Sequence, residues 1–62
     1  MESIGSRIKA ARKAKRMTQK ELSDSADVSA TSIVYWERDE IEPKSKNLAS
    51  LARALECAPD YL

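Results

Sequence analysis

Met17-Thr18-Gln19-Lys20-Glu21-Leu22-Ser23-Asp24-Ser25-Ala26-Asp27-Val28-Ser29-Ala30-Thr31-Ser32-Ile33-Val34-Tyr35-Trp36-Glu37-Arg38 is the stretch that decides the fold of this 62-residue chain. Two short helical patterns lie on either side of Asp27-Val28, and each opens with its own cap. Thr18 and Glu21 form a capping box, in which each side chain satisfies the other residue's free backbone N–H. The helix they open runs from Gln19 to about Ala26, with Leu22 and Ala26 facing inward. Ser23 is small enough for another helix to cross closely there. Asp27 takes the turn; a left-handed backbone favours Gly, but Asp tolerates it better than most residues. Ser29 then caps a second helix that continues to about Glu37.

At 100° per residue the second helix separates two faces. Ser29, Ser32, Ile33 and Trp36 fall on the core side, and Ala30, Thr31, Val34, Tyr35 and Arg38 on the other. An outer face normally carries Lys, Glu or Gln. Exposed Val is poor by helix propensity. It makes sense if its methyl groups meet an apolar partner, and thymine methyls in the DNA major groove are such partners. Thr31 adds a hydroxyl for a base edge, and Tyr35 can reach a base or a phosphate. Two capped helices around a tight turn form the helix-turn-helix layout. The alternative is a face that packs on another protein.

Working outward, the first helix of the chain is expected from Ser3 or Ser6 to Arg16, with a thin stripe of Ile4, Ile8 and Ala11 continued by Lys15. Asp39 to Ser45 read as a loop, since Pro43 disfavours helix at Glu42. A fourth helix follows from about Lys46 to Glu56, where Leu48, Leu51, Ala52 and Leu55 make the clearest amphipathic stripe. Ala58-Pro59-Asp60 opens a last helix, with Pro59 suited to its first position. The turn is cut off abruptly at Leu62, so a trimmed chain or a fragment of a longer protein is the expectation. No repeat and no period-two alternation occur, so strands are not expected.

The net charge of +1 hides segregation. Residues 1–20 carry seven basic groups (Arg7, Lys9, Arg12, Lys13, Lys15, Arg16, Lys20) against Glu2, a net of +6; residues 21–42 carry seven acids against Arg38, a net of −6. A concentrated basic segment attracts phosphate even on a near-neutral chain; the plainer alternative is a solvated face of the first helix. One cysteine cannot make an internal disulfide, and with no histidine neither a metal nor a cofactor is expected. Without histidine nothing pairs a base with a nucleophile, so no catalytic residue and no enzyme activity are expected. Cys57 reads as a small packing residue. No apolar run reaches membrane-spanning length and no signal peptide is visible, which makes a cytoplasmic protein the expectation.

Phosphate contacts should ring the outer face of the third helix. Gln19, beside Thr18, sits at a helix N-terminus, where free N–H groups and the dipole favour an anion. Arg38 and Lys44 flank the end of the third helix. Arg12 and Glu37 are placed for a partly buried ion pair between the first and third helices, leaving Arg12 a further N–H for phosphate.

These residues resemble a known family. From Ile4 to Leu62 the chain is similar to the helix-turn-helix domain of the Cro and lambdoid phage repressor family. The resemblance rests on Thr18-Gln19-Lys20-Glu21-Leu22, on Val28-Ser29 with Ser32-Ile33, and on Trp36-Glu37-Arg38 with Glu42-Pro43. The tail, Leu51-Ala52-Arg53-Ala54-Leu55 to Ala58-Pro59-Asp60-Tyr61-Leu62, resembles the last two helices of phage repressor N-terminal domains. It implies an all-α, compact five-helix repressor-like domain over residues 1–62, with helices 2 and 3 as the helix-turn-helix. It implies binding to a double-stranded, pseudo-palindromic DNA operator as a homodimer; the small core adds the expectation that the dimer is weak or forms only on DNA. Ser29, Ala30, Thr31, Val34 and Tyr35 then take base-reading positions, and Arg12, Thr18, Gln19, Arg38, Lys44 and Asn47 touch phosphate. Arg12 and Glu37 match the family's buried ion pair. Pro59 and Leu62 lie where repressor domains meet across the two-fold axis. Two departures matter: Ser23 and Asp27 replace the usual Ala and Gly, and the base-reading positions lack Gln and Asn. Bidentate adenine recognition is then missing, so specificity should lean on methyl contacts and DNA shape.

The expected function is sequence-specific transcriptional regulation by a phage or prophage repressor, in the cytoplasm of a bacterium or a phage-infected host. A Cro-type protein, a restriction-modification controller and an antitoxin regulator remain open. The alternative from another class is a protein-interaction module that docks through Val34 and Tyr35.

Overall fold

In the computed structural model, described for residues 2–62 and at Pro59 for the backbone alone, the chain folds into four α-helices: α1 (Ile4–Ala14), α2 (Gln19–Ala26), α3 (Ala30–Glu37) and α4 (Ser45–Leu55). A 3-10 turn, Pro59–Tyr61, follows. Three of the four starts are fixed by local side chains. Ser3 Oγ accepts the Ser6 N–H at 3.1 Å, Thr18 Oγ1 the Glu21 N–H at 3.0 Å, and Ser29 Oγ the Ser32 N–H at 3.1 Å. Glu21 returns the favour by accepting the Thr18 N–H at 2.8 Å, completing the capping box. At α4 the cap position is Lys44, which makes no side-chain cap hydrogen bond.

All four helices end the same way. Arg16, Asp27, Asp39 and Glu56 sit at φ 58°, 57°, 60° and 55°, and the next N–H folds back onto the helix in each case. These closures are Met17 to Arg12, Val28 to Ser23, Glu40 to Tyr35 and Cys57 to Ala52, all 3.0–3.1 Å. None of the four is glycine, so each carries some left-handed strain, least at the two aspartates. Arg16 explains why α1 stops at Ala14 rather than Arg16. Glu56 likewise ends α4 at Leu55, and the extended backbone of Lys44 starts it at Ser45.

The core gathers Ile8, Leu22, Ala26, Ile33, Trp36, Leu51, Ala52, Leu55 and Leu62. Ile8, Leu22, Ile33 and Leu51 are fully buried, so α1 to α4 each contribute one such side chain. Cys57 is half-buried against this cluster. The one glycine is spent where two helices touch rather than in a turn. A Cβ at Gly5 would lie 2.4 Å from the Trp36 carbonyl oxygen and 2.8 Å from that of Glu37. Glycine therefore lets α1 settle directly on the C-terminal backbone of α3.

The expected fifth helix is not formed. Tyr61 N–H reaches the Ala58 carbonyl at 3.0 Å, which closes a 3-10 turn, and no ladder of four-residue spacing follows. Ser29 and Ser32 also differ from the expected core side. Ser29 is exposed and Ser32 half-buried, because the first caps the second.

Candidate nucleic-acid interface

Helix α3 presents Ala30, Thr31 and Tyr35 to the outside, with Ser29 exposed just before it and Arg38 just after. Val34, expected to be exposed, is half-buried: three residues before Glu37, it stands about 60° from that inward-turned side chain around the helix. The Ser29 hydroxyl is engaged by the Ser32 N–H and lies 2.8 Å from the Ser32 hydroxyl. The only acid of α3, Glu37, is turned away from this face.

Glu37 is held by a fork. Arg12 Nε donates to Glu37 Oε2 at 2.7 Å and Arg12 Nη2 to Oε1 at 3.1 Å, with side-chain exposures of 12% and 4%. Arg12 Nη1 donates to the Met17 carbonyl at 2.8 Å. The hydrogen bond to Glu37 holds the Arg12 guanidinium above its ordinary pKa, although burial works in the other direction. Three of the five Arg12 N–H groups are thus committed inside the chain. Gln19 joins the same carboxylate, its Nε2 donating to Glu37 Oε1 at 3.1 Å. The network therefore fixes the start of α2 and the end of α3 on one residue of α1.

Charge around the face is more selective than the sequence shows. Arg7 donates to the Tyr61 carbonyl at 3.0 Å, stacks 5.9 Å from the Tyr61 ring centre and lies 3.4 Å from Glu2. Lys15 pairs with Glu56, which lowers the Glu56 pKa through that hydrogen bond and charge; Lys20 lies 3.5 Å from Asp24. Lys9, Lys13 and Arg16 form no ion pair among the described residues. Arg38 is exposed and only 4.0 Å from Glu40. Lys44 and half-buried Asn47 stand at the uncapped start of α4, where backbone N–H groups and the dipole favour an anion. Thr18 is exposed, with its hydroxyl oxygen occupied by the Glu21 N–H.

The two residues assigned to a dimer contact stand differently. Leu62 is 8% exposed and belongs to the chain's own core, so its side chain is used within one copy. The Pro59 side chain lies outside the described residues.

The helix-turn-helix family model matches residues 8–62. The chain belongs to the helix-turn-helix family. It is 46% identical over 59 residues to the repressor protein C2 of Salmonella phage P22, covering 95% of this chain and 27% of that protein. It is 38% identical over 60 residues to the transcriptional regulator DicA of Escherichia coli strain K12, covering 97% of this chain and 44% of that protein. The chain thus spans less than half the length of these relatives. Among solved structures, the P22 c2 repressor in complex with a synthetic operator superposes with a TM-score of 0.92 at 43% identity, covering 98% of this chain and 92% of that one.

Three residues of this helix-turn-helix domain escaped sequence reasoning. Gly5 permits the α1–α3 contact. Asp39 accepts the Gly5 N–H at 3.0 Å and the Ser3 hydroxyl at 2.6 Å. Arg7 clasps the 3-10 turn. A lone glycine in a helical pattern was the one available signal, since it carries a propensity cost that needs a packing reason.

Proposed function

We propose that this domain is the DNA-binding part of a sequence-specific transcriptional repressor of phage or prophage type, with α3 seated in the major groove of an operator. One observation carries the reading. The only carboxylate of α3 is 4% exposed and paired with Arg12, while Ala30, Thr31 and Tyr35 face outward with no acid among them. A helix that hides its acid and shows methyl and hydroxyl groups suits the floor of a groove walled by phosphate. The likeness to a repressor crystallised on an operator supports the same reading. Ala30, Thr31, Val34 and Tyr35 would read bases; Gln19, Arg38, Lys44 and the N–H groups opening α4 would hold phosphate. Arg12 acts chiefly by fixing Glu37 and Gln19. Two copies on a pseudo-palindromic site would place their third helices about 34–36 Å apart.

The test is a titration of labelled duplex by fluorescence anisotropy across a salt series. Affinity should fall steeply with salt, with a log–log slope of roughly −0.9 per phosphate neutralised. Gln19→Ala should weaken binding to all sequences alike, while Val34→Ala should change preference at one or two base pairs. Binding to duplex that ignores salt, or a Val34→Ala variant with unchanged sequence preference, would overturn the reading in favour of a protein-docking face.

A further inference from the structure

We infer that Asp39 is a positioning residue for α3: by joining the C-terminal end of α3 to the first turn of α1, it sets the angle at which α3 meets DNA. This rests on the proposed reading of DNA by α3. Asp39 follows the helix closely and stands at φ 60°. Its two oxygens serve two groups of α1, Oδ1 accepting the Gly5 N–H at 3.0 Å and Oδ2 the Ser3 hydroxyl at 2.6 Å. The Ser3 oxygen in turn accepts the Ser6 N–H at 3.1 Å. One carboxylate at the end of α3 therefore completes the N-terminal cap of α1. The backbones close to match, since a Cβ at Gly5 would stand 2.4 Å from the Trp36 carbonyl oxygen and 2.7 Å from Asp39 Oδ1. No slack is left at this joint.

The same two helices have a second joint, the Arg12–Glu37 fork. Gly5 and Arg12 are separated by about 10 Å along α1 at 1.5 Å per residue. Two joints at that spacing fix a crossing angle, whereas one joint leaves a pivot restrained by side-chain packing alone. The base-facing residues lie at the far end of the lever, Thr31 being about 9 Å along the axis from Glu37. A swing of about 10° there moves Thr31 by about 1.6 Å, roughly three times the tolerance of a productive polar contact. Phosphate contacts through long side chains absorb such a shift better. Losing Asp39 should therefore cost discrimination between sequences more than affinity for DNA as such.

The experiment compares wild type, Asp39→Ala, Asp39→Asn, Ser3→Ala and Glu56→Ala on a selected operator duplex and on a random duplex of equal length. All are measured well below the unfolding transition, with folding checked by circular dichroism. Asp39→Ala should lower the operator-to-random ratio about tenfold, the scale of one lost base contact, and leave random-duplex affinity within about twofold. Asp39→Asn should restore most of the ratio, because its oxygen can accept the Gly5 N–H and its amide can donate to Ser3 Oγ. Ser3→Ala, which keeps one of the two bonds, should give about a threefold loss, and it decides the matter if Asp39→Ala does not fold. Glu56→Ala places alanine at another left-handed position, at the end of α4, and should keep the ratio. An unchanged ratio in folded Asp39→Ala and Ser3→Ala, or an equal loss on both duplexes, would overturn the inference while leaving α3 as the reading helix. A wild type that prefers no duplex would overturn both.

Discussion

Replacing Arg12 by methionine removes one side of an ion pair whose side chains are 12% and 4% exposed. Glu37 would keep only the Gln19 amide, at 3.1 Å, and the Met17 carbonyl would lose the donor now 2.8 Å away. Breaking a buried pair this way costs about 3–5 kcal/mol, because an uncompensated carboxylate stays behind. A chain of this length has a total stability of roughly 3–9 kcal/mol. The single variant should therefore melt about 12–40 °C below wild type, or fail to fold. Replacing both partners, Arg12→Met with Glu37→Leu, removes the charge and its counter-charge together, and should recover most of the loss. Thermal unfolding followed by circular dichroism reads all three chains. The double variant has a second expected property: Gln19 is no longer anchored, so a folded domain should bind every duplex more weakly. If Arg12→Met melts with wild type, the fork is not a joint between α1 and α3; if the double variant melts no higher than the single, the loss does not come from the carboxylate left behind.

Gly5→Ala should lower the urea midpoint. A Cβ 2.4 Å from a backbone oxygen forces α1 off α3, and overpacking of about 1–3 kcal/mol or more outweighs the roughly 1 kcal/mol that alanine gains in helix propensity; an unchanged midpoint would mean that α1 has room to move. Arg16→Gly should raise stability by about 0.5–1 kcal/mol by relieving the left-handed turn at φ 58°, visible as a melting point higher by a few degrees. Glu56→Gln should act only above the carboxylate range. Lys15 lowers the Glu56 pKa in the folded state, so the pair stabilises above the unfolded value of about 4.3 and its contribution is lost as pH falls through the folded value. The gap in melting point between Glu56→Gln and wild type should be small at neutral pH, shrink with added salt and vanish in acid.

The helix-turn-helix was legible because its signals are local. Thr18 with Glu21, Ser29 at a helix start and Asp27 in the turn each act within three residues, and each holds the expected geometry. Joints between distant segments were not legible in the same way. Asp39 meets Ser3 across 36 residues, and Arg7 meets Tyr61 across 54. In sequence these are ordinary surface charges, and only the packing of α1 on α3 and on the 3-10 turn brings them to partners. That is also why the basic N-terminal segment looked freer than it is: Arg7, Arg12, Lys15 and Lys20 all have carboxylates of the same chain within 4.0 Å. Arg12 with Glu37 was within reach because 100° spacing places Glu37 beside the buried Trp36 on α3. The extent of Val34 burial and the single 3-10 turn after α4 depend on angles and lengths that periodicity does not fix.

Selection of this domain against a random duplex pool at physiological salt tests most directly whether α3 reads DNA. The retained sequences should contain an inverted repeat with half-sites about one helical turn apart, rich in thymine where Ala30, Thr31 and Val34 face the groove. Retention of duplex with no shared motif, or no retention at all, would contradict sequence reading by α3.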